Sequence, residues 1–246
     1  MSAFFFGKAG RQLYGFYHAP LGTANGAVVI CPAWGSEYQY AHRALRVLAL
    51  RLAEGGMHVL RMDYSGTGDS WGDTTDADVE QWSRDVGIGI DELRAMSDAS
   101  RVDVVGLRVG GLIAAVAATS RSDVRRVVLW DPIHDGAAWV REKGPSIPPK
   151  ADAVTTEFGH RLVTPALVRQ FESIAPSSYP ARIAEGVLLL QTIPGEASSA
   201  SRLSHIAALE HRVIEDVSPW LEDQSIWSGL VPTKSVAALC DWLGQS

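Results

Sequence analysis

Short apolar runs recur along the chain, and most are followed by a turn and then by a longer segment with apolar residues at helical spacing. Continuous apolar runs are typical of strands buried on both faces of a sheet, whereas apolar residues three and four positions apart indicate amphipathic helices. The pattern predicts strands at residues 26–30, 57–64, 102–105, 126–130, 186–191 and 211–217. Two more strands, at 4–6 and 12–18, are expected to form a half-exposed antiparallel pair.

Helices are predicted between the later strands, at residues 41–53, 76–96, 112–120, 199–209 and 232–243. Asp76 is expected to cap the second of these helices. Strands that alternate with helices build a parallel sheet with helices on both faces, so the predicted fold class is α/β. In such sheets the functional residues lie at the carboxyl ends of the strands. This rule makes the residues that follow each predicted strand the candidates for a site.

The alternating pattern stops between residues 135 and 182, a stretch that contains six prolines. This stretch is too short to hold a core of its own. We therefore expect one domain that spans residues 1–246, with residues 135–182 inserted as a lid.

Composition narrows the class of protein. With 246 residues, of which 46% are hydrophobic, the chain is long enough for one large core. The net charge is −6 and the positive residues are scattered, which argues against nucleic acid as a partner. No apolar run reaches the ~18 residues of a membrane helix, and no signal peptide is recognisable, so no membrane partner is expected. Two distant cysteines, Cys31 and Cys240, favour a reducing compartment, and we expect a cytoplasmic protein.

Two glycine-rich turns stand at the ends of predicted strands. Residues 106–110 (Gly-Leu-Arg-Val-Gly) join a buried strand to an apolar helix, and residues 61–70 (Arg-Met-Asp-Tyr-Ser-Gly-Thr-Gly-Asp-Ser) follow an earlier strand. Together they resemble the α/β-hydrolase superfamily, whose corresponding motifs are Gly-x-Ser-x-Gly and Arg-x-Asp-x-x-Gly-x-Gly-x-Ser. The resemblance covers most of the chain. It implies the α/β-hydrolase fold, with about eight mostly parallel strands and a small lid between the sixth and the seventh.

Three short stretches are similar to bacterial hydrolase-like proteins that are associated with exosortase and exopolysaccharide loci. They are residues 106–110, 129–132 (Leu-Trp-Asp-Pro) and 158–167 (Phe-Gly-His-Arg-Leu-Val-Thr-Pro-Ala-Leu). In this chain Arg108 stands where the superfamily has its nucleophilic serine. An arginine side chain stays protonated and cannot attack a carbonyl carbon.

The other members of a catalytic triad are also in doubt. A serine hydrolase needs a nucleophile, a histidine base, an acid that orients the base, and an oxyanion hole. The resemblance places the acid near residues 192–196, where Glu196 is the candidate, although a surface glutamate is the commoner case. It places the base between residues 218 and 231, and this segment contains no histidine. We therefore expect the usual Ser-His-Asp triad to be absent.

Other residues are candidates for the missing chemistry. Cys31 lies at a strand end in the expected oxyanion loop and carries a thiol, but a small buried core residue is the commoner case there. His134 follows the sixth strand and is the better candidate for a general base; the alternative is a loop histidine bonded to Asp131 or Asp135. His160, inside the predicted lid, either faces the pocket or is exposed.

Arg108 must be paired if it is buried, because an unpaired buried charge is costly. Glu37, which follows the oxyanion loop, is its predicted partner. Either this pair plugs a dead active site, or Arg108 uses its planar fork to bind a carboxylate or a phosphate. The pocket and oxyanion-loop candidates supply backbone amides or side chains around it, and they are Cys31, Ala33, Trp34, Tyr38, Val109, Asp131 and Trp227.

No phosphate loop, dinucleotide fingerprint or metal-ligand spacing is recognisable, so no cofactor and no metal are predicted. Two functions stay open. In the first, Arg108, Glu37 and His134 act on an acyl, ester-like or carboxylate-bearing small molecule by a mechanism without serine. In the second, the protein is a non-catalytic pseudo-hydrolase that binds a small ligand or a partner protein in the same pocket.

Overall fold

Eight strands make one sheet in the computed structural model of this protein, which describes residues 1–144, 154–192, 198–221 and 230–245. A two-stranded hairpin, formed by the seventh and eighth strands of the chain, stands apart from this sheet. In chain order the described strands are β1 (Ser2–Lys8), β2 (Arg11–His18), β3 (Gly26–Cys31), β4 (Met57–Met62), β5 (Val102–Leu107), β6 (Val124–Trp130), β7 (Thr156–Phe158), β8 (Arg161–Val163), β9 (Gly186–Gln191) and β10 (Leu209–Val213).

The strand order in the sheet is β1-β2-β4-β3-β5-β6-β9-β10. β2 pairs antiparallel with β1 and with β4, and the other neighbours are parallel. The central strands β3, β5 and β9 are those with continuous apolar runs, and nearly all their residues are buried. β1 lies at the edge, where only Phe6 is fully buried. The mostly parallel, eight-stranded sheet predicted from the sequence is confirmed.

Helices lie on both faces of the sheet. Alternate residues of β3 point to opposite faces, as a strand requires. Val28 and Ile30 pack in the apolar cluster that contains α1 (Ser36–Glu54) and α7 (Thr233–Gly244), and Val29 packs in the cluster that contains α2 (Val79–Ser97) and α3 (Val109–Thr119). None of the described helices is long and apolar enough to cross a membrane. The described helices are α1 (Ser36–Glu54), α2 (Val79–Ser97), α3 (Val109–Thr119), α4 (Gly136–Lys143), α5 (Pro165–Glu172), α6 (Ser198–Arg202) and α7 (Thr233–Gly244).

The start of α2 differs from the prediction. The helix begins at Val79 rather than at residue 76, because the side chain of Asp78 accepts a hydrogen bond from the Gln81 amide at 2.9 Å and caps it. Asp76, the cap predicted from the sequence, instead closes a short 3-10 turn, in which its side chain accepts from the amide of Asp73 at 3.0 Å. Asp76 and Asp78 are both suitable as the N-cap of α2, and the direction of the chain after the 3-10 turn determines that Asp78 takes this position.

α6 is much shorter than the predicted helix over residues 199–209. It ends at Arg202, and the following turn uses its backbone for other contacts. The amide of Ala207 donates to the carbonyl of Ala181 at 2.8 Å, and Ala208 adopts a positive φ of 56°. A helix cannot continue through such a bond or such a backbone angle.

The segment 135–182 lies between β6 and β9, and we call it the insert. Its described part contains α4, the β7–β8 hairpin and α5. Gln170 of α5 fixes the insert to the start of α2: its Nε2 donates to Asp78 at 2.8 Å, and its Oε1 accepts from the Val79 amide at 3.0 Å. Because β6 and β4 both end beside the insert, it is held across the carboxyl end of the sheet.

Candidate functional site

The sharpest turn at this end of the sheet is centred on Arg108. β5 ends at Leu107 and α3 begins at Val109, and Arg108 between them has a φ of 57° and a ψ of −124°. A non-glycine residue with such angles is strained by roughly 1–3 kcal/mol and persists only where the surroundings hold it. The surroundings do so here, since the Arg108 amide donates to the Trp130 carbonyl at 2.9 Å and the Arg108 carbonyl accepts from the Gly111 amide at 2.9 Å.

Glycines beside Arg108 let three pieces of backbone meet. A Cβ on Gly106 would overlap the carbonyl group of Gly110, and a Cβ on Gly110 would overlap the carbonyl oxygens of Cys31 and Pro32. α3 therefore starts in direct contact with the end of β3, which leads into residues 32–35. This is the strand–turn–helix geometry in which α/β-hydrolases expose a nucleophile.

The guanidinium group of Arg108 is held by protein oxygens on three sides. Its Nε and Nη2 donate to the same carboxylate oxygen of Glu37, at 3.2 and 3.0 Å, and its Nη1 donates to the carbonyl of Asp131 at 2.9 Å. Arg108 is 8% exposed and Glu37 is 1% exposed. The ion pair predicted from the sequence is present, and it is buried.

Trp139 of the insert completes this network. Its indole Nε1 donates to the same Glu37 oxygen at 3.0 Å, so that one oxygen accepts three N–H groups. The other carboxylate oxygen of Glu37 is buried and has no hydrogen-bond partner among the described residues. Glu37 thus links the turn, α1 and the insert through one atom.

A cluster of aromatic rings lies between residues 32–35 and the insert. Trp34 packs against Phe158 and Phe171 of the insert, with ring centres 5.8 and 5.3 Å apart, and Trp139 packs against the same two rings at 5.2 and 5.0 Å. Trp82 of α2 packs against Trp34 and Phe171 from the other side. All five rings are at most 3% exposed, so the insert is packed onto the sheet as core.

Both carboxylate oxygens of Asp131, which follows β6, accept hydrogen bonds. Oδ1 accepts from the Thr192 amide at 2.7 Å, and Oδ2 accepts from the Trp220 indole at 3.1 Å. Burial raises the pKa of this carboxyl group, and the bonds from Thr192 oppose that shift. Asp131 therefore joins the ends of β6 and β9 and anchors Trp220.

His134 does not bond to Asp131 or Asp135, the two partners that the sequence suggested. Asp131 is occupied as described, and Asp135 caps α4 by accepting from the Ala138 amide at 2.9 Å. The Nε2 of His134 instead lies 2.5 Å from the hydroxyl oxygen of Ser199, which is 1% exposed. Sequence reasoning missed Ser199, because only the pairing of β6 with β9 brings these two segments together.

The family model described as Serine aminopeptidase, S33 matches residues 22–186, which is well over half of the chain. This protein belongs to the S33 family. The match includes the turn at Arg108, the end of β3 and the whole insert. A search of curated proteins finds no match.

Solved structures share the fold of this S33 family member at low sequence identity. Est1E from Butyrivibrio proteoclasticus with bound ferulic acid superposes with a TM-score of 0.73 and 16% identity, covering 99% of this chain and 100% of that chain. The esterase domain of a Rhodothermus marinus protein gives 0.65 and 16%, covering 99% and 95%. Alpha/beta hydrolase domain-containing protein 10 from mouse gives 0.62 and 16%, covering 99% and 98%. These likenesses establish the α/β-hydrolase fold and nothing narrower.

The remaining candidate site residues of this S33 family member do not all lie at the turn of Arg108. Cys31 and Ala33 are buried at the end of β3, and burial raises the pKa of the Cys31 thiol far above its ordinary value. Tyr38 turns away from Arg108 and donates to Asp63 at 2.7 Å. His160 is exposed on the β7–β8 turn and lies 3.8 Å from Glu157.

Two candidate positions lie outside the described residues. They are Glu196, considered as the triad acid, and Trp227, considered as a pocket wall. Val109 is buried as the first residue of α3. Among the described residues, no group of three or more histidine, cysteine or acidic side chains is arranged to hold a metal ion.

Proposed function

We propose that this protein is a non-hydrolytic member of the S33 family, which acts by binding a small molecule or a partner protein. The observation that carries the proposal is the closed contact between Arg108 and Glu37. In a serine hydrolase the residue at this turn faces the substrate and a histidine. Here each guanidinium nitrogen donates to a protein oxygen, and the pair is buried.

The ion pair favours a plug over an anion-binding site. The Arg108 side chain is 10% exposed, and the fork that would grip a carboxylate ligand already grips Glu37. An arginine also stays protonated at any pH at which the protein folds, so it cannot serve as a nucleophile or a base. We infer that Arg108 occupies the nucleophile position and has a structural role there.

The histidines support the same conclusion. All seven lie in described residues, and the segment 218–231, where this fold keeps its base, contains none. His205 bonds to the carbonyl of Tyr179, and His211 bonds to the side chain of Gln191. Of the seven, His134 alone lies in the loop that follows β6, and it bonds to Ser199 rather than to Arg108 or Asp131.

The aromatic cluster is a third support. Trp34, Trp139, Phe158 and Phe171 are all buried against one another at the place where the insert meets residues 32–35. A hydrolase with a working lid needs this space for its acyl group. Since the three ring contacts that join the insert to Trp34 and Trp82 would have to separate before a substrate entered, the insert acts as a packed layer rather than as a gate.

Turnover of short p-nitrophenyl esters tests the proposal. We expect the wild-type protein and the Arg108→Ser variant to stay at the uncatalysed rate, because neither has a histidine in residues 218–231, where this fold keeps its base. Turnover above that rate, if it is lost in both Arg108→Ala and His134→Ala, would instead support the alternative of a non-serine mechanism that uses Arg108, Glu37 and His134.

One contact favours a second candidate function. The 2.5 Å contact between His134 and Ser199 is a nucleophile–base pair in chemical type, displaced from the turn at Arg108. In this candidate, His134 takes the proton of Ser199 while the serine oxygen attacks an ester carbonyl, and His134 then gives that proton to the alcohol that leaves as the ester bond breaks. Ester turnover that survives in Arg108→Ala and disappears in Ser199→Ala would favour it over the binding function.

The proposal has two further parts, which are the group of bacterial proteins that the chain resembles and the compartment in which it acts. We place the chain among the bacterial hydrolase-like proteins associated with exosortase loci, because it carries their Gly-Leu-Arg-Val-Gly turn. Both cysteines, Cys31 and Cys240, are free thiols, which supports a reducing compartment such as the cytoplasm.

A further inference from the structure

A polar cleft of about 120 Å³ lies between α1 and the β2–β4 part of the sheet, and Arg108 is not among the residues that line it. One water needs roughly 10–15 Å³ of such space, so the cleft has room for a small molecule. Its floor is buried, and its rim includes the exposed residues His42 and Asp69. The cleft therefore opens to solvent.

Side chains of α1, β2 and β4 line this cleft. Tyr38, His42 and Leu45 lie four and three positions apart, on one face of α1. Phe16 of β2 is the direct cross-strand neighbour of Arg61 in β4. The cleft is thus built mainly by regular secondary structure, and the loop residues Pro32, Asp63 and Asp69 complete its lining.

Arg61 is the unusual residue of this cleft. Its Nε donates to the Nε2 of His18 at 3.3 Å, and its guanidinium carbon lies 5.0 Å from the ring centre of Phe16. Among the described residues it has no other hydrogen bond and no carboxylate within 4.0 Å. The side chain is half-buried, and burial lowers its pKa. The charge of Asp63 opposes this shift without forming an ion pair, so among the described residues no anion is bonded to the guanidinium group, and an anionic ligand bonded there would offset the cost of its partial burial.

The nearest acidic group does not supply the missing anion. Asp63 is 7% exposed, and its Oδ1 accepts from the Tyr38 hydroxyl at 2.7 Å while its Oδ2 accepts from the Asp69 amide at 3.2 Å. By contrast, Arg125 and Arg126 both pair with one carboxylate, that of Asp103, at 2.7 and 2.9 Å.

We propose that this cleft binds a small monocarboxylate, whose carboxylate group is gripped by the terminal nitrogens of Arg61. The planar fork of an arginine matches a carboxylate with two parallel hydrogen bonds. The short apolar tail of the ligand packs against Phe16 and Leu45, and the Tyr38 hydroxyl lies beside it. Asp63 and Asp69 border the cleft and repel a dianion more strongly than a monoanion, which favours a monocarboxylate over the phosphate dianion. The site is independent of whether the turn at Arg108 is catalytic.

Backbone amide NMR spectra of the full chain, titrated with sodium propionate or sodium lactate at constant ionic strength, test this site. We expect saturable shifts at the amides of β2, β4 and the first turns of α1. In Arg61→Met, which keeps the stem over Phe16, we expect binding to weaken by roughly tenfold or more. Shifts that are absent, or that do not saturate, would overturn the proposal.

Three controls separate the site from general electrostatics. Arg43→Ala removes an exposed cation of α1 and should leave binding unchanged; an equal loss there would show that the ligand responds only to positive potential. Phosphate should give no saturable shifts at these amides, and binding as tight as that of propionate would overturn the carboxylate class. His42→Trp narrows the exposed rim and should also weaken binding, so the test stands even if Arg61→Met fails to fold.

Discussion

Nη2 of Arg108 lies 3.0 Å from Oε1 of Glu37, so the most strained residue of the β5–α3 turn is held by the first turn of α1. Both residues are almost fully buried. A buried ion pair adds little net stability compared with apolar packing, but removing one partner leaves an uncompensated charge. The pair is therefore a point at which single substitutions have large effects.

Replacement of Glu37 by alanine should destabilise the protein strongly. The change leaves the Arg108 guanidinium and the Trp139 indole without their shared acceptor, and we expect a loss of about 3–5 kcal/mol in the free energy of unfolding. Urea denaturation measures it. Glu54→Ala is the matched control in the same helix, since its ion pair with Arg51 is 3.5 Å long and exposed, and it should cost at most about 1 kcal/mol. Equal losses in the two variants would contradict a buried, structural role for Glu37.

Two adjacent glycines of α3 should respond differently to alanine. In Gly110→Ala the new Cβ meets the carbonyl oxygens of Cys31 and Pro32, and we expect a loss of about 3 kcal/mol or more. In Gly111→Ala the nearest atom is the Cβ of Pro132 at 3.3 Å, and the gain in helix propensity, about 1 kcal/mol, offsets this mild contact. Thermal unfolding compares the two variants. If Gly110→Ala were as stable as Gly111→Ala, the close approach of α3 to the end of β3 would be wrong.

His18 should make the stability depend on pH below neutrality. Burial, followed by the nearby Arg61 cation, lowers the pKa of His18 to about 4, whereas the unfolded chain has the ordinary value of 6.5. Between these values the unfolded state binds more protons, so this contribution is fully present above pH 6.5 and is lost as the pH falls towards 4. The contribution of His18 to the free energy of unfolding is at most about 3 kcal/mol.

The variant that isolates this effect is His18→Gln, which keeps an acceptor for Arg61 and cannot be protonated. Denaturation at several pH values should give a smaller slope between pH 6.5 and 4 than in the wild-type protein. His160→Gln, at an exposed histidine, should leave the slope unchanged. A slope that is identical in His18→Gln and the wild type would show that His18 is not the titrating group.

The two cysteines should differ in reactivity. Cys31 is fully buried in β3, and Cys240 is half-buried on α7 with a pKa raised by burial to about 11. Iodoacetamide should therefore modify Cys240 slowly in the native protein and Cys31 only after unfolding, as peptide mass mapping would show. Rapid native modification of Cys31 would restore it as a candidate nucleophile.

The sheet and the turn at Arg108 were predictable because both have local causes. Continuous apolar runs fix the buried strands, and Gly106 and Gly110 mark the place where backbones cross. The pairing of Arg108 with Glu37 followed from the same logic, since a buried arginine needs an anion and the fold places few near it.

Other contacts between distant segments could not be predicted. His134 and Ser199 are 65 positions apart and meet only because β6 and β9 are neighbours in the sheet. The bond from Trp139 to Glu37 spans 102 positions and depends on how the insert settles on the sheet. In the same way, nothing in the sequence around Arg61 shows that the guanidinium group faces a cleft and lacks a carboxylate.

The most direct measurement of the central claim is the intact mass of the native protein after reaction with a fluorophosphonate probe. This reagent labels serines that a neighbouring base has activated. Because Arg108 stands at the turn and is bonded to Glu37, we expect no stoichiometric adduct on the wild-type chain. An adduct on any serine would contradict a non-hydrolytic protein, and an adduct that maps to Ser199 would move the chemistry to the His134–Ser199 pair.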